Sequence, residues 1–154
     1  MASFSYSLNG STIRTTPVLD QIKVASGAGY QALEIWHDKV DEHIESGGKV
    51  RDIRRALDDS GLVVPTTIYL SDWFDSTGDQ HAKVLEECKR RMDQSVELGA
   101  EHVIAGPPLG TACVERGAEN YFELCELGRA MGVKPAMEFL GFVEQLNTIE
   151  AALE

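Results

Sequence analysis

Ala25-Ser26-Gly27-Ala28-Gly29-Tyr30-Gln31-Ala32-Leu33-Glu34-Ile35-Trp36-His37 is the stretch whose reading decides the fold. It reads as the tail of a helix, a small residue with Gly29, and then the short apolar run Ala32-Leu33-Glu34-Ile35-Trp36. Gly29 falls where a left-handed helix C-cap is expected, because glycine enters that conformation without a Cβ penalty. The same passage recurs at Ser60-Gly61-Leu62, Leu98-Gly99-Ala100 and Met131-Gly132-Val133, each running into an apolar stretch at 63–69, 102–105 and 135–139. The glycines at 29, 61, 99 and 132 are spaced 32, 38 and 33 apart. That is about the size of one β/α unit.

The segments between the glycines agree. Residues 17–28 place Val18, Leu19, Ile22 and Ala25 at helical spacing, with Thr16 a candidate N-cap and Pro17 at the first helical position. Residues 49–60 do the same with Val50, Ile53 and Leu57. The longest predicted helix, 79–98, carries Ala82, Leu85, Cys88, Met92 and Val96 on one stripe and Glu86, Glu87, Lys89 and Arg90 on the other. Residues 118–131 repeat the pattern with Tyr121, Leu124, Cys125 and Gly128, and a last helix is expected to begin near Asn147-Thr148. A first strand at 4–8 precedes all of this, so the expectation is about five parallel strands alternating with helices. Both a doubly wound open sheet and part of a (β/α)8 barrel fit. No GxGxxG follows the first strand and no GxxxxGK[ST] occurs, so nucleotide-binding versions lose support.

The 154 residues hold 14 basic and 25 acidic side chains, a formal net charge of −11, with 43% hydrophobic residues. That composition is globular and excludes a disordered or collagen-like chain. The acidity weighs against nucleic acid, whose phosphates require Lys/Arg clusters. No apolar run approaches the ~20 residues of a membrane span, and Met1-Ala2-Ser3-Phe4 has no basic region followed by an apolar one. Cys88, Cys113 and Cys125 form no CxxC, so neither a disulfide framework nor a zinc knuckle is indicated. A soluble cytoplasmic protein is expected.

In either architecture, chemistry belongs at the carboxyl ends of the strands. Those positions hold Asn9, then Trp36 and His37, then Tyr69 with Trp73, and finally Glu138 and Glu144. Aromatic rings with a few polar groups suit a sugar, so Asn9, Trp36, His37, Tyr69 and Trp73 are the candidate substrate-binding residues. Trp73 reads equally as a lid or a core cover, and His37 reads also as a satisfied structural histidine. Glu138 interrupts the apolar run Ala136-Met137-Glu138-Phe139-Leu140 where a strand should emerge. It is either a carboxylate satisfied by a backbone amide or Arg, or a metal ligand or general base. Glu34 needs a partner if it points inward. His43, His81 and His102 read as surface residues, and Cys88 and Cys125 as core.

On the segment 25–37 and on Pro135-Ala136-Met137-Glu138-Phe139-Leu140, the sequence resembles the xylose-isomerase-like TIM-barrel superfamily of sugar phosphate isomerases and epimerases, which includes endonuclease IV. The resemblance implies a strand-5 Glu that binds a divalent metal (Mg, Mn, Co or Zn) and moves a substrate proton. It also implies a second Glu six residues on that contacts the sugar. Glu138 and Glu144 match that spacing, although Phe139-Leu140-Gly141-Phe142-Val143 lacks the Pro-x-Asn-Arg-like segment of the ketose epimerases. The expected activity is isomerisation or epimerisation of a small sugar or sugar acid. The alternatives are dehydration of an inosose or dehydroshikimate-type ring, or an inactive barrel fragment. The family barrel takes ~250 residues, so 1–154 reads as the N-terminal portion of one barrel domain, with the other metal ligands beyond Glu154. Open strand edges would then favour a homo-oligomer.

Overall fold

A computed structural model describes residues 4–153. Met1–Ser3, on which the reading of the chain's start rested, and Glu154 lie outside the described residues. The chain runs β1 (Ser7–Asn9), a short 3-10 helix (Gly10–Ile13), α1 (Val18–Gly27), β2 (Ala32–Trp36), α2 (His37–Glu45) and α3 (Val50–Ser60). It continues with β3 (Thr66–Leu70), α4 (Gly78–Leu98), β4 (His102–Ala105), α5 (Val114–Met131), β5 (Lys134–Met137) and α6 (Ile149–Leu153). The sheet order is β1-β2-β3-β4-β5. Its parallel registers include Leu8 opposite Leu33, Ile35 opposite Thr67, and Ala105 opposite Met137. This is the expected α/β run of parallel strands.

The repeat is real in the backbone. Gly29, Gly61, Gly99 and Gly132 have φ of 85°, 65°, 80° and 85°, the left-handed region that ends a helix before the next strand.

Several boundaries differ from the sequence reading, among them β3 at Thr66–Leu70 instead of 63–69 and β5 at Lys134–Met137 instead of 135–139. The first strand lies at Ser7–Asn9 instead of 4–8, because Asn9 accepts a hydrogen bond from the Ser11 amide at 2.8 Å and starts the 3-10 turn. A helix the sequence reading did not contain, α2, occupies Lys39, Asp41, Glu42 and Glu45, charges that mask the buried Val40. The fourth helix begins at Gly78 and the fifth at Val114, four residues before the expected 118. Gly117 sits inside α5 because a Cβ there would lie 2.2 Å from the Phe74 ring, so a residue that reads as a breaker is a packing contact.

The contacts divide the chain into two compact units, Met1–Ile68 with Gln94–Glu101, and Tyr69–Asp93 with His102–Glu154. The core of the first gathers Leu8, Val18, Ile22, Leu33, Ile35, Ile53, Leu57 and Leu98. That of the second gathers Leu70, Trp73, Phe74, Cys88, Met92, Val103 and Leu124. Cys88 is core as expected, and burial pushes its thiol up to about 12, which leaves it unreactive. Among the described residues no helix is long and apolar enough to cross a membrane.

Candidate active site at the strand ends

In the first unit the strand ends carry a closed polar network. Asn9 leaves β1 with its amide oxygen accepting from the Trp36 indole at 3.0 Å and from the Ser11 amide. Its amide nitrogen donates to Glu34, whose other oxygen accepts from the Thr66 hydroxyl. Asn9 and Trp36 are therefore brought together, with Glu34 as the residue that holds them. The partner required of an inward Glu34 is found in two neutral donors. The Arg14 guanidinium lies 4.0 Å over the Trp36 ring and pairs with Asp38. Gly10 is needed beneath this cluster, because a Cβ there would meet the Gln21 carboxamide oxygen at 2.9 Å and the Glu34 carbonyl at 3.0 Å.

His37 is the first residue of α2 and is wholly buried. Its Nδ1 lies 2.9 Å from the Gln94 side-chain oxygen, and Gln94 donates to Asp41 at 2.9 Å. Since the Gln94 oxygen can only accept, His37 carries its proton on Nδ1. Ser95 stands 3.5 Å from Nε2 and hydrogen-bonds Thr67 at 2.7 Å. This burial matches the satisfied structural histidine rather than a substrate contact.

In the second unit Tyr69 is partly exposed, with its carbonyl accepting from Arg91. Trp73 is 0% exposed, its ring 5.2 Å from that of Phe74 and 5.6 Å from that of Tyr121. Of its two readings, the structure shows the core cover: neighbouring rings enclose it and leave no face for a sugar. Glu138 is the first residue past β5, half-buried, with its amide donating to the Ala105 carbonyl at 3.1 Å. Just before it, the Met137 amide donates to the Tyr121 hydroxyl at 3.1 Å, and that hydroxyl donates to the Pro135 carbonyl at 3.1 Å. Glu144 is exposed and accepts from the Thr111 hydroxyl, while Gln145 accepts from the Ala112 amide at 2.6 Å.

His81, read as a surface residue, bridges two elements. Its Nδ1 lies 2.7 Å from the Ser76 hydroxyl and its Nε2 2.9 Å from the Glu123 carboxylate. A cleft of about 340 Å³ opens there, lined by Ser76, His81, Arg116, Asn120 and Glu123, and neither Glu138 nor Glu144 borders it. Sequence spacing could not show this, since 42 residues separate His81 from Glu123.

The expected divalent metal can be tested against these donors. Zn takes about four ligands, at least three of them from protein, and Mg takes about six oxygens, some of them water. Among the described residues no three His, Cys, Asp or Glu side chains converge on a metal position. The residues present therefore do not form a metal site by themselves.

The pattern of the family described as "Xylose isomerase-like TIM barrel" matches residues 22–154. The chain belongs to this family. A 3-dehydroshikimate dehydratase of Pseudomonas aeruginosa is 25% identical over 138 residues, covering 86% of this chain and 21% of that protein. Among solved structures, a xylose isomerase-like TIM barrel/4-hydroxyphenylpyruvate dioxygenase fusion protein matches with a TM-score of 0.85 and 18% identity. That match covers 98% of this chain and 24% of the fusion. An IolI protein with a bound zinc atom matches with a TM-score of 0.84 and 21% identity, over 97% of this chain and 56% of that one. The chain thus spans about a fifth of the curated relative it matches. The two structural matches establish the fold: the five parallel strands are those of a partial xylose-isomerase-like barrel.

Proposed function

We propose that this chain supplies the first five β/α units of an enzyme that removes a proton from the carbon beside a carbonyl of a small polyhydroxylated substrate, with Glu138 as the base. The observation that carries this is the position of Glu138, half-buried and first after β5, with its amide tied to Ala105. A carboxylate at such a point can accept the carbon-bound proton and give it back, which is general acid–base catalysis. The enolate so formed has two outcomes. Loss of a hydroxyl one carbon further on gives dehydration, with the proton from carbon leaving in the water. Return of the proton to the opposite face gives epimerisation.

Dehydration of a dehydroshikimate-type ring is the leading reading, favoured by the 25% identity to the 3-dehydroshikimate dehydratase across 86% of the chain. Epimerisation of a sugar or sugar acid is the second, favoured by the six-residue spacing of Glu138 and Glu144. In both, within the second unit, Tyr69 adds an aromatic edge and Glu144 orients a hydroxyl.

The test is turnover of 3-dehydroshikimate and of a ketose by the whole protein that carries this chain, with products read by mass. Loss of water identifies the dehydratase, and an isomeric product the epimerase. Glu138→Gln should lower turnover by about 10²–10⁴-fold, the usual worth of a general base. A near-normal rate in that variant removes Glu138 from the role.

A further inference from the structure

The cleft of about 340 Å³ beside α4 and α5 holds a hydrogen-bonded chain of three side chains that the proposed proton transfer does not use. Ser76 lies in the loop before α4, His81 in the first turn of that helix, and Glu123 in the middle of α5. The Ser76 hydroxyl is 2.7 Å from His81 Nδ1, and His81 Nε2 is 2.9 Å from the Glu123 carboxylate. A carboxylate oxygen only accepts, so Nε2 carries the proton of the neutral ring and Nδ1 offers its lone pair to the Ser76 hydroxyl. That is the order nucleophile, base and orienting carboxylate, with both links inside hydrogen-bond reach.

The surroundings suit the same chemistry. The Ser76 hydroxyl has a second acceptor, the Trp73 carbonyl at 3.0 Å, but that carbonyl also takes the Asn120 amide at 2.9 Å. The hydroxyl proton can therefore turn to His81 without leaving a buried carbonyl unpaired. Ser76 is buried and lines the cleft, with Glu123 at the exposed end of the chain. Gly78, the first residue of α4, lines it too, as does Arg116, which pairs with Asp75 at 2.8 Å. The first amides of a helix have no partner inside it, and together with a guanidinium they favour negative charge developing on an oxygen.

We propose that Ser76, His81 and Glu123 form a second reactive site, one that hydrolyses small carboxylic esters. The Ser76 oxygen bonds to the ester carbonyl carbon as its proton passes to Nδ1. The bond from that carbon to the alcohol oxygen breaks, and the alcohol leaves with the proton from Nδ1. Water then bonds to the acyl carbon and gives a proton to Nδ1. The bond from carbon to Ser76 breaks, that proton returns to the Ser76 oxygen, and the carboxylic acid departs. Glu123 is a positioning residue throughout, holding the Nε2 proton and balancing the charge that forms on the ring. This inference does not depend on the catalytic role of Glu138.

The test is covalent labelling of the whole protein that carries this chain by a fluorophosphonate, which traps an activated serine, with the labelled peptides read by mass. Ser76 should take the phosphonyl group at least about 100-fold faster than the exposed Ser46, since a general base is worth about 10²–10⁴-fold. His81→Gln should remove that advantage. The wild type should hydrolyse p-nitrophenyl acetate above background, and Ser76→Ala should not. In Glu123→Gln the limiting rate of labelling should fall while the half-saturating concentration of the phosphonate stays constant. No label on Ser76, or label on Ser76 and Ser46 at equal rates, would overturn the proposal, and this needs no variant that might fail to fold. Ester hydrolysis that survives Ser76→Ala, or labelling as fast in a folded His81→Gln, would overturn it too. An unchanged limiting rate in Glu123→Gln would overturn the part given to Glu123.

Discussion

Glu34 and Glu138 are both carboxylates, one within a strand and one just past a strand, one in each compact unit, and their surroundings differ. Glu34 lies within β2 and has an oxygen on Asn9 and an oxygen on Thr66, both neutral donors from neighbouring strands. Glu138 lies just beyond β5, on a backbone fixed from one side by Ala105 and, one residue earlier, from the other by Tyr121. A carboxylate with both oxygens taken by neutral donors of adjacent strands holds those strands together, since removing it leaves the donors unpaired. A carboxylate at a strand exit, on a pinned backbone, is placed for chemistry without moving the core. The difference separates a holder within a strand, Glu34, from the proposed base just past one, Glu138.

The largest effect on stability should come from Asn120 in the second unit. Its side-chain nitrogen donates to the carbonyls of Trp73, Phe74 and Ser76 at 2.9, 3.1 and 3.2 Å, holding the loop after β3 to α5. Asn120→Ala removes a donor from each of those carbonyls, of which Trp73 keeps the Ser76 hydroxyl, and should cost about 2–3 kcal/mol, read by denaturant unfolding. A loss below that of a typical surface substitution would show that the loop holds itself. In the first unit, Thr66→Val removes one donor to Glu34 and should cost about 1 kcal/mol, less because Asn9 still donates. Equal losses in the two variants would erase the contrast between a shared network and a single clamp.

The smallest effect concerns α4. Hydrogen bonds first from Arg90 and then from Arg91 hold the Glu87 carboxyl down at about 2, against an ordinary 4.5. A depressed carboxylate contributes stability above its unfolded value, so this contribution is complete above pH 4.5 and is lost as pH falls toward 2. The side chain is 44% exposed, so screening limits the pairs to about 0.5 kcal/mol. Glu87→Gln should lower the melting temperature slightly at neutral pH and not at all at the acid end of that window. A difference that persists there would point to packing instead of charge.

Much of the fold was legible because the glycines at 29, 61, 99 and 132 each stop a helix where only a left-handed residue can, and that is a local requirement. Helix α2 was not, because Lys39, Asp41, Glu42 and Glu45 leave Val40 as its one buried hydrophobic residue. Gly117, just before the helix start expected at 118, lies inside α5 for a tertiary reason, the Phe74 ring. At the site, Glu138 stood out as a charge interrupting an apolar run, and Glu34 as a carboxylate in need of partners. Burial of His37 and Trp73 was illegible, since it comes from Gln94 in the one case and from Phe74 and Tyr121 in the other. The roles of Tyr121 and His81 depend on contacts made across helices and strands, which periodicity does not record.

The most direct test of the distinction between holder and reacting group compares Glu138→Gln with Glu34→Gln in the whole protein, measuring turnover and melting temperature together. Glu138→Gln should lose about 10²–10⁴-fold in turnover with little change in melting. Glu34→Gln should lower the melting temperature, with turnover falling by no more than about tenfold, the worth of one weakened neutral hydrogen bond. Turnover that survives Glu138→Gln and collapses with Glu34→Gln would contradict the account.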